Sequence, residues 1–363
     1  MAKIVIDARV ISSSTGHYTL RLLQYLEKMD KKNKYEVIVF SKDIDFWKPT
    51  SPNFSVIATD YKYFTFAEQL GFKKQLDSLD ADLVHFMMPQ QPILYRGRSV
   101  TTLHDLIPFQ TWNSDKNWLV YHAKRTVGYF VYHIIARKSR YILVPTKYIR
   151  EQFRKFAKIN PDKIIVTYES ADPSDKVYDK YPVPFKQYLL YVGQQSDYKN
   201  LIRLVKSHQK LLPTHPKLGL VFVGKVNQSK SGVAQYVKDS GAKNVHFTGY
   251  ISDEQRNWLF PNAAAFVFPS TMEGFGLPPL EAMINGAPVV SSNAACMPEL
   301  YGDAVEYFNP FDIDEMAAAI DNVISNKKRQ QELIKRGEAQ VAKFSWERCA
   351  RETLDIYIKA LNK

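Results

Sequence analysis

Short runs of Val, Ile, Leu and aromatic residues alternate along this chain with segments in which apolar residues have helical spacing. Continuous apolar runs separated by helices are typical of parallel sheets covered by helices on both faces. Helical spacing is clearest in HYTLRLLQYLEKM, FAEQLGFKKQLDSL and SWERCARETLDIYIKALNK. The sequence therefore predicts an α/β protein with doubly wound parallel sheets. The predicted strands are KIVIDARV, YEVIVF, FSVIAT, ADLVHFMM, SVTTLHDLI, RYILVPT and KIIVTYES in the first half, and YLLYVG, LGLVFVG, NVHFTGY, AAFVFPS, APVVSS and AVEYF in the second.

The length of 363 residues exceeds what one hydrophobic core usually serves, which favours two domains. The segment DPSDKVYDKYPVPFKQ is rich in Pro, Asp and Lys and lacks periodicity, so it is expected to be a linker. We expect a first Rossmann-like domain over residues 1–172, a linker over 173–186 and a second Rossmann-like domain over 187–342. By pattern alone, the last helical stretch, 343–363, could belong to either domain. A cleft is expected between the domains. Because ligands of open α/β sheets bind beyond the carboxyl ends of the strands, the residues that follow each predicted strand are candidates for a site.

The two cysteines, Cys296 and Cys349, lie far apart in sequence, so neither a disulfide framework nor a zinc site is expected. No Asp-x-Asp cluster stands at the end of a predicted strand, and no His/Cys group has ligand spacing. The longest apolar stretches, such as YFVYHIIA, are well short of the roughly 20 residues that span a bilayer, and the N-terminus reads as a strand rather than a signal peptide. These features predict a soluble protein of the reducing cytoplasm without a metal.

The formal charge of +12 is concentrated in one segment. Between Asp115 and Lys158 there are eleven bases against two acids, a net charge of +9. The part NWLVYHAKRTVGYFVYHIIARKSR interleaves bases with Trp, Tyr and Phe, as do helices that lie on anionic membrane surfaces. A solvated basic face over an ordinary core helix explains the same pattern. Nucleic-acid binding is a third reading, but no recognised binding module accompanies the charge.

EGFGLPPLEAM, residues 273–283, follows the predicted strand AAFVFPS and combines two glycines, two prolines and two glutamates. Pro278 and Pro279 suit the first turn of a helix, where no N–H is needed. A helix is therefore expected from about Leu277 to Asn285, with Gly286 as its C-terminal stop.

The backbone N–H groups of Gly274–Leu277 would point out of this helix N-terminus, where an anion or sugar oxygens are favoured. Glycines in the turn let a ligand approach the backbone closely. Glu273 lies on one side of the turn, and Glu281 is expected in the first helical turn. A capping carboxylate, worth about 0.3 to 1 kcal/mol, would explain either glutamate alone but not their combination with the glycines.

FPSTMEGFGLPPLEAMINGAPVVSSNAACMPELYGDA resembles the nucleotide-sugar-binding signature of family 4 glycosyltransferases, whose Glu-x7-Glu motif is matched by Glu273 and Glu281. VHFTGYISDEQ and YLLYVG…KNL resemble further segments of that family's second domain, TLHDLIP resembles a segment of its first domain, and FSWERCARETLDIY resembles its end. The likeness covers almost the whole chain. It implies the GT-B fold, in which two Rossmann-like domains face each other across a cleft and a C-terminal helix crosses back to the first domain.

The resemblance also implies roles for individual residues. Glu281 would accept hydrogen bonds from the ribose hydroxyls, Glu273 would hold hydroxyls of the donor sugar, and Lys199 would face the diphosphate. His104 is placed near the transferred sugar and the acceptor, where it positions or stabilises rather than attacks. His104 and Glu273 are thus the implied catalytic residues, with no metal and no other cofactor. The implied donor-binding residues are Gly16, Gln194, Lys199, Tyr250, Ile251, Gly274, Phe275, Gly276, Leu277 and Glu281.

The residues themselves support three of these assignments. Lys199 stands at the start of the predicted helix KNLIRLVKSHQKLL, where a cation is disfavoured unless an anion binds there. His104 follows the predicted strand SVTTLHD and should project from its carboxyl end, and Gly16 occupies a turn before a helix. Each also has an ordinary structural explanation as a solvated lysine, a satisfied histidine or a turn glycine.

Three positions depart from the family pattern. SSSTGHYTL stands where many members have a glycine-rich GxGR run, YLLYVG is followed by Gln194 instead of arginine, and Tyr198 stands where arginine often precedes the lysine. One phosphate contact is therefore either missing or supplied by another cation, such as Lys225 or Arg203.

The expected activity is retaining, metal-independent transfer of a hexosyl group, with mannose favoured, from a nucleotide sugar to a glycan or lipid-linked acceptor. GDP-mannose is preferred over UDP-sugars because of overall likeness to bacterial mannosyltransferases of surface-polysaccharide assembly. Retention is implied by the resemblance alone. The chain is expected in the cytoplasm, where the basic segment suggests contact with the anionic inner face of the membrane, and no nucleic-acid partner is expected. A sugar-nucleotide epimerase and a catalytically silent glycan-binding or scaffold subunit remain alternatives.

Overall fold

The computed structural model describes residues 1–13, 15–110, 118–172, 178–227, 229 and 231–362, without the side chains of residues 119 and 120. The chain forms two compact units. Unit 1 consists of Met1–Phe109, Leu119–Glu169 and Ser345–Lys363, and unit 2 contains Ser170–Phe344. Part of the expected linker, 173–177, and the start of the basic segment, 115–117, lie outside the described residues.

Unit 1 is built around a seven-stranded parallel sheet. Its strands are β1 (Lys3–Asp7), β2 (Lys34–Phe40), β3 (Phe54–Thr59), β4 (Leu83–Phe86), β5 (Ser99–Thr102), β6 (Tyr141–Val144) and β7 (Ile164–Val166). They are hydrogen-bonded in the order β3-β2-β1-β4-β5-β6-β7. Every residue of β4, β5 and β6 is buried, which explains why these runs are continuously apolar or uncharged. The seven strands predicted in the first half of the sequence are confirmed.

Within the described residues, five α-helices lie between β1 and β7. They are α1 (Gly16–Met29), α2 (Lys73–Ser78), α3 (Ile107–Gln110), α4 (Trp118–Lys138) and α5 (Lys147–Ala157). In α1, Leu22, Leu23 and Leu26 point to the core at helical spacing. α5 begins after Thr146, whose hydroxyl accepts a hydrogen bond from the N–H of Ile149.

The predicted helix FAEQLGFKKQLDSL is only partly α-helical. Glu68–Phe72 forms a π-helical turn, and α2 follows it at Lys73. The carboxylate of Glu68 accepts a hydrogen bond from Arg9 at 3.0 Å, and the ring of Phe72 lies 3.8 Å from the same guanidinium. Both contacts to one buried arginine come from the widened turn, which the sequence pattern does not reveal.

Unit 2 contains a second parallel sheet of six strands. The strands are β8 (Gln187–Val192), β9 (Leu218–Val223), β10 (Val245–Gly249), β11 (Ala265–Phe268), β12 (Val289–Ser292) and β13 (Glu306–Phe308). Their order is β10-β9-β8-β11-β12-β13. The helices are α6 (Leu201–Leu211), α7 (Val233–Ser240), α8 (Asp253–Asn262), α9 (Leu277–Ile284), α10 (Met297–Tyr301), α11 (Ile313–Ile324) and α12 (Lys327–Val341). All six strands predicted in the second half are present.

Each sheet has a switch point, where successive connections leave in opposite directions. It lies between β1 and β4 in unit 1 and between β8 and β11 in unit 2. Ligands of doubly wound sheets bind beyond the carboxyl ends of the strands at such points. In unit 2 these ends continue into residues 193–199 and 269–276.

The C-terminal helix, α13 (Trp346–Asn362), packs onto unit 1. It lies against α1, and Cys349, Ile356 and Tyr357 belong to the buried cluster beneath that helix. The hydroxyl of Tyr357 lies 2.6 Å from Nδ1 of His85 in β4. The predicted return of the C-terminal helix to the first domain is confirmed.

Candidate active site

A buried ion pair lies at the switch point of unit 2. Lys199, after β8, and Glu273, after β11, are only 8% and 7% exposed, and Nζ lies 2.6 Å from Oε1. Burial of either charge alone would be costly, so each stabilises the other. The lysine Nζ also lies 5.0 Å from the ring centroid of Tyr198 and 5.4 Å from that of Phe268. The residues that the resemblance assigns to the diphosphate and to the sugar are therefore direct neighbours.

Hydrogen bonds join the two turns that carry this pair. The N–H of Thr271, after β11, donates to the carbonyl of Tyr198 at 2.8 Å. Asn200, the next residue after the lysine, donates through Nδ2 to the carbonyl of Pro269 at 3.0 Å. Asn200 has a left-handed φ of 62°, which asparagine tolerates better than most residues. These bonds fix the geometry of the ion pair.

The turn between the ion pair and α9 requires a glycine. Gly276 has a φ of 80°, and its carbonyl accepts a hydrogen bond from the buried hydroxyl of Tyr301 at 2.7 Å. A Cβ at this position would lie 2.4 Å from the same hydroxyl oxygen. The buried thiol of Cys296 supports the turn from below, donating to the carbonyls of Glu273 and Phe275 at 3.4 and 3.5 Å.

Backbone N–H groups are open at the start of α9. Within the described parts of the chain, the N–H groups of Phe275 and Gly276 have no hydrogen-bond acceptor. Both residues are buried. Because the first amides of a helix carry partial positive charge, this turn can bind an anion or sugar oxygens.

Glu281 lies in the second turn of α9, since the helix begins at Leu277. Its predicted place in the first turn is wrong by one position. The side chain is half-buried, and the carboxylate has no hydrogen-bond or ion-pair partner among the described residues. It can therefore accept hydrogen bonds from a ligand.

A pocket of about 410 Å³ lies beside the N-terminus of α6. Gln195, Asn200, Arg203 and Lys206 line it, together with 231–233. Nε2 of Gln195 is buried and has no hydrogen-bond partner in the part of the chain that the structure describes. Neither Lys199 nor Glu273 lines this pocket. The pocket therefore lies next to the ion pair, on the side of Asn200, and does not enclose it.

In unit 1, His104 follows β5 and is held between two oxygen acceptors. Its Nε2 lies 3.0 Å from the carbonyl of Met87, after β4, and its Nδ1 lies 3.6 Å from the carboxylate of Glu169. The ring of Tyr18 contacts it edge-on, with the centroids 4.9 Å apart. Burial alone would lower the pKa of His104, but Glu169, the Met87 carbonyl and Asp105 raise it above the ordinary value of 6.5. The arrangement favours the protonated imidazole.

Beneath this histidine lies a second, neutral one. His85 in β4 is fully buried and contacts Thr102 through Nε2 at 2.8 Å, opposite its contact with Tyr357. Burial, with a smaller effect of His104, lowers the pKa of His85 to about 3. His85 is therefore a structural link between the sheet and α13.

Two family models match the chain. Glycosyl transferases group 1 matches residues 180–340, which contain the ion pair and α9, and Glycosyltransferase Family 4 matches residues 15–175. The O-antigen chain mannosyltransferase B of Escherichia coli is 31% identical over 273 residues, which cover 72% of this chain and 70% of that protein. The chain belongs to glycosyltransferase family 4.

A second relative of this glycosyltransferase is the serotype-specific mannosyltransferase WbdA of Escherichia coli, which is 26% identical over 276 residues. The match covers 73% of this chain but only 34% of WbdA. Sucrose-phosphate synthase from Thermosynechococcus elongatus has a similar structure, with a TM-score of 0.80 over 99% of both chains at 18% identity. That similarity shows the fold, and the predicted fold class of two Rossmann-like halves is confirmed.

Two predicted site residues of the glycosyltransferase occupy different local structure from that expected. Lys199 ends a 3-10 turn, Asp197–Lys199, and the left-handed residue after it separates it from α6. Gly16 is the first residue of α1 rather than a turn residue, and its N–H already donates to the carbonyl of Ser13 at 2.9 Å. A Cβ on Gly16 would lie 1.9 Å from the carbonyl oxygen of Ile11, so close backbone packing explains this glycine.

Gln194 lies at the switch point, two residues after β8, whereas Tyr250 and Ile251 lie farther along the carboxyl edge of unit 2. Gln194 is exposed, and its carbonyl accepts a hydrogen bond from Tyr191 at 2.6 Å. Tyr250 is 82% exposed, and Ile251 is half-buried; both follow β10, which is two strands away from β8. Of the cations considered as replacements, Arg203 donates to the side chain of Asn200 at 2.9 Å. No hydrogen bond or ion pair joins these residues to Lys199 or Glu273 in the described part of the chain.

Sequence reasoning missed residues in each unit that support the predicted site residues through hydrogen bonds or ion pairs. Glu169, Tyr191 and Tyr301 each contact a predicted site residue or its turn. Tyr191 and Tyr301 lie within segments that resemble the family, but those segments did not mark them as site residues. The one available signal was position, because Glu169 and Tyr191 stand at or beyond the ends of predicted strands, where site residues collect.

The basic segment contains α4, β6 and α5, and α4 has a mixed surface. Tyr132, Ile135 and Ala136 are buried against the sheet, whereas Val127 and Phe130 are 61% and 62% exposed. None of the helices in the described part of the chain combines the length and apolar character needed to cross a bilayer.

Proposed function

We propose that this glycosyltransferase moves a mannosyl group from a nucleotide sugar, with GDP-mannose favoured, to a glycan or lipid-linked acceptor, with retention at the anomeric carbon and without a metal. The observation that carries the proposal is the buried Lys199–Glu273 pair beside the open amides of Phe275 and Gly276. The names of the two relatives described above support mannose as the sugar. The O-antigen chain in the first name supports a glycan acceptor.

Donor binding would add contacts from both members of the ion pair to the ligand while the pair itself stays in place. The ammonium group of Lys199 has three donors, but Glu273 is its only hydrogen-bond acceptor among the described residues. The diphosphate would accept from the remaining donors and from the amides at the start of α9. Glu273 would then accept hydrogen bonds from hydroxyls of the sugar. Both buried charges would stay compensated before and after the donor binds.

In the proposed transfer, the bond between the anomeric carbon and the diphosphate oxygen breaks. The acceptor hydroxyl oxygen bonds to the same face of that carbon, and its proton passes to the departing diphosphate. Negative charge develops on the leaving group, so a fixed cation and oriented amides stabilise the transition state more than the ground state.

We assign His104 the role of a cation rather than a base. Both ring nitrogens face oxygen acceptors, from Met87 and Glu169, so neither offers a lone pair to an acceptor hydroxyl. A protonated imidazole can stabilise the negative charge that develops during transfer, and its charge can help to position the acceptor.

Metal independence is part of the proposal. Within the described ranges, no group of three or more His, Cys, Asp or Glu side chains is placed to hold an ion. Lys199 and the amides would supply the positive charge that a cation supplies in metal-dependent transfer. Turnover should persist in EDTA, and a loss restored by Mg²⁺ or Mn²⁺ would contradict this part.

We further propose that α4 contacts an anionic membrane surface. Val127 and Phe130 are exposed, as are Lys124 and Arg125 on the same helix, a combination that suits the interface of acidic lipids. Binding to phosphatidylglycerol vesicles at physiological salt should weaken in Phe130→Ser. Equal sedimentation with neutral and anionic vesicles would count against the contact.

The donor is tested by thermal unfolding in the presence of GDP, UDP, ADP and their sugars. A ligand that binds only the native state raises the apparent stability, so GDP-mannose should give the largest increase.

Glu281→Ala should weaken nucleotide binding, and Glu273→Ala should chiefly lower turnover. Glu338→Ala, exposed on α12, is the matched control. Wild-type donor turnover in both site variants would refute the assignments, and a product of inverted configuration would exclude retention.

A further inference from the structure

A second pocket, of about 360 Å³, lies in unit 1 and is lined mainly by cations. None of its eight lining residues is acidic. Six of them are basic: Arg96, Arg98, Arg137, Lys138, Arg140 and Lys163. Such a concentration of one charge in a concave surface attracts anions more strongly than dispersed surface charge does.

The fold places these cations at the amino ends of three adjacent strands. Arg98 directly precedes β5, Arg140 precedes β6 and Lys163 precedes β7. β5 pairs with β6, and β6 pairs with β7, so neighbouring strands of these three lie about 4.8 Å apart. His104 follows β5 at its other end. The pocket therefore lies on the edge opposite to the predicted catalytic histidine of unit 1.

The lysines of this pocket have structural partners. Lys163 donates to the carbonyls of Ala136 and Arg137 at 3.0 and 2.9 Å, so it satisfies the C-terminal end of α4. Lys138 donates to the carbonyl of Tyr95. Cations at a helix C-terminus are favourable on their own, so these lysines do not require a ligand.

Three of the four arginines are different, whereas Arg137 donates to the carbonyl of His133 at 3.0 Å. Among the described residues, the guanidinium groups of Arg96, Arg98 and Arg140 have no hydrogen-bond or ion-pair partner. Burial, and after it the charges of Arg96 and Lys73, lower the pKa of Lys138. The fold thus gathers like charges that repel one another, and an anion in the pocket would offset that repulsion.

We propose that this amino-edge pocket binds phosphate groups, at a site separate from the nucleotide-sugar site. Arg96 and Arg98 are exposed, so their guanidinium groups are accessible to a ligand from solvent. Guanidinium groups match the oxygens of phosphate with two parallel hydrogen bonds. Among the described residues, no aromatic side chain lines the pocket to stack on a base, which disfavours a nucleobase. The phosphates could belong to a soluble polyphosphate or to phospholipid headgroups.

The test compares Arg96→Gln/Arg98→Gln with Lys327→Gln/Lys328→Gln in the full chain. The second pair removes the same charge from an exposed position on α12 in unit 2. One arm titrates inorganic pyrophosphate by calorimetry at constant ionic strength, and the other measures sedimentation with phosphatidylglycerol vesicles. The thermal unfolding midpoint of each variant checks that it is folded.

In either arm, the arginine variant should bind about tenfold more weakly than the wild type, and the lysine variant should not change. An effect on pyrophosphate identifies a soluble ligand, and an effect confined to vesicles identifies a headgroup. Equal losses in both variants would show only non-specific attraction by net charge and would overturn the proposal. Binding that neither variant changes would place the anion elsewhere and would overturn it as well.

Discussion

Two buried arrangements of charge in this protein differ in how fully their donors are satisfied. In unit 1, Arg9 bonds to both carboxylate oxygens of Asp7, to Glu68 and to the carbonyl of Tyr61. In unit 2, the Lys199 ammonium has only Glu273 as a hydrogen-bond acceptor among the described residues. The first arrangement is typical of a structural ion pair, and the second leaves donors for a ligand.

Breaking the unit 2 pair should destabilise the protein. Glu273→Ala leaves Lys199 buried without its partner, and we expect the free energy of unfolding to fall by about 3–5 kcal/mol. In Lys199→Met/Glu273→Leu no charge stays buried, so most of that loss should be recovered. Urea denaturation at neutral pH measures both. A double variant no more stable than Glu273→Ala would show that the charges do not compensate each other.

Gly276 and Gly286 provide a matched comparison at the two ends of α9. Their φ angles are 80° and 75°, but only at Gly276 would a Cβ meet the Tyr301 hydroxyl, at 2.4 Å; at Gly286 nothing lies within 4 Å. Gly286→Ala should cost about 1 kcal/mol of left-handed strain, and overpacking should raise the cost of Gly276→Ala to at least about 2 kcal/mol. Denaturation of Gly276→Ala with and without Tyr301→Phe isolates the clash. An undiminished cost in Tyr301→Phe would contradict this explanation.

The His104–Glu169 contact should make stability depend on pH. Because the folded pKa of His104 is raised, its contribution to stability is fully present below the unfolded value of about 6.5 and is lost as pH rises through the folded value. Glu169→Gln should therefore flatten the decline of unfolding free energy above about pH 6.5. Glu347→Gln, which affects only an exposed pair with Arg351, is the control. The idea fails if the two variants have the same pH profile.

At the scale of elements, α13 serves as part of the unit 1 core although it is last in the chain. Its inward face contributes Trp346, Cys349, Ile356 and Tyr357 to the cluster beneath α1. Burial of these side chains, rather than helix propensity, supplies most of the stability of such a helix. The helix is therefore needed for unit 1 even though it is far from that unit in sequence.

Two isoleucines on α13 test this role. Ile356 is 3% exposed and Ile358 is 46% exposed. Ile356→Ala should lower the free energy of unfolding by about 2–5 kcal/mol, because it removes buried methyl groups and leaves a cavity. Ile358→Ala should cost well under about 1 kcal/mol, since exposed substitutions are usually near neutral. Similar losses in the two variants, measured by denaturation, would mean that α13 is not packed as described.

The two units share one strand arrangement, in which the first strand of the unit lies inside the sheet and pairs with the fourth. These strands are β1 and β4 in unit 1, and β8 and β11 in unit 2. The sequence predicted all thirteen strands, because buried parallel strands are recognisable as short apolar runs between helical segments. It also predicted the start of α9, because two prolines and a glycine constrain the backbone there. These features depend on neighbours in sequence.

The contacts that organise the site were not predictable in the same way. Lys199 and Glu273 are 74 positions apart, and they meet only because β8 and β11 are neighbours in the sheet. The amino-edge arginines likewise come together through strand order. The left-handed Asn200, which separates Lys199 from α6, depends on hydrogen bonds to Pro269 and Pro310 that no local pattern reports.

Hydrogen–deuterium exchange with and without GDP-mannose reports on the N–H groups of Phe275 and Gly276, which have no acceptor among the described residues and are proposed to hold the donor. We expect slower exchange in peptides that contain Gly274–Leu277 and 193–199 of unit 2 when the donor is present. The Glu281→Ala variant should reduce that protection. Unchanged exchange in these peptides under conditions where the donor is turned over, with protection appearing only in other segments, would contradict the account.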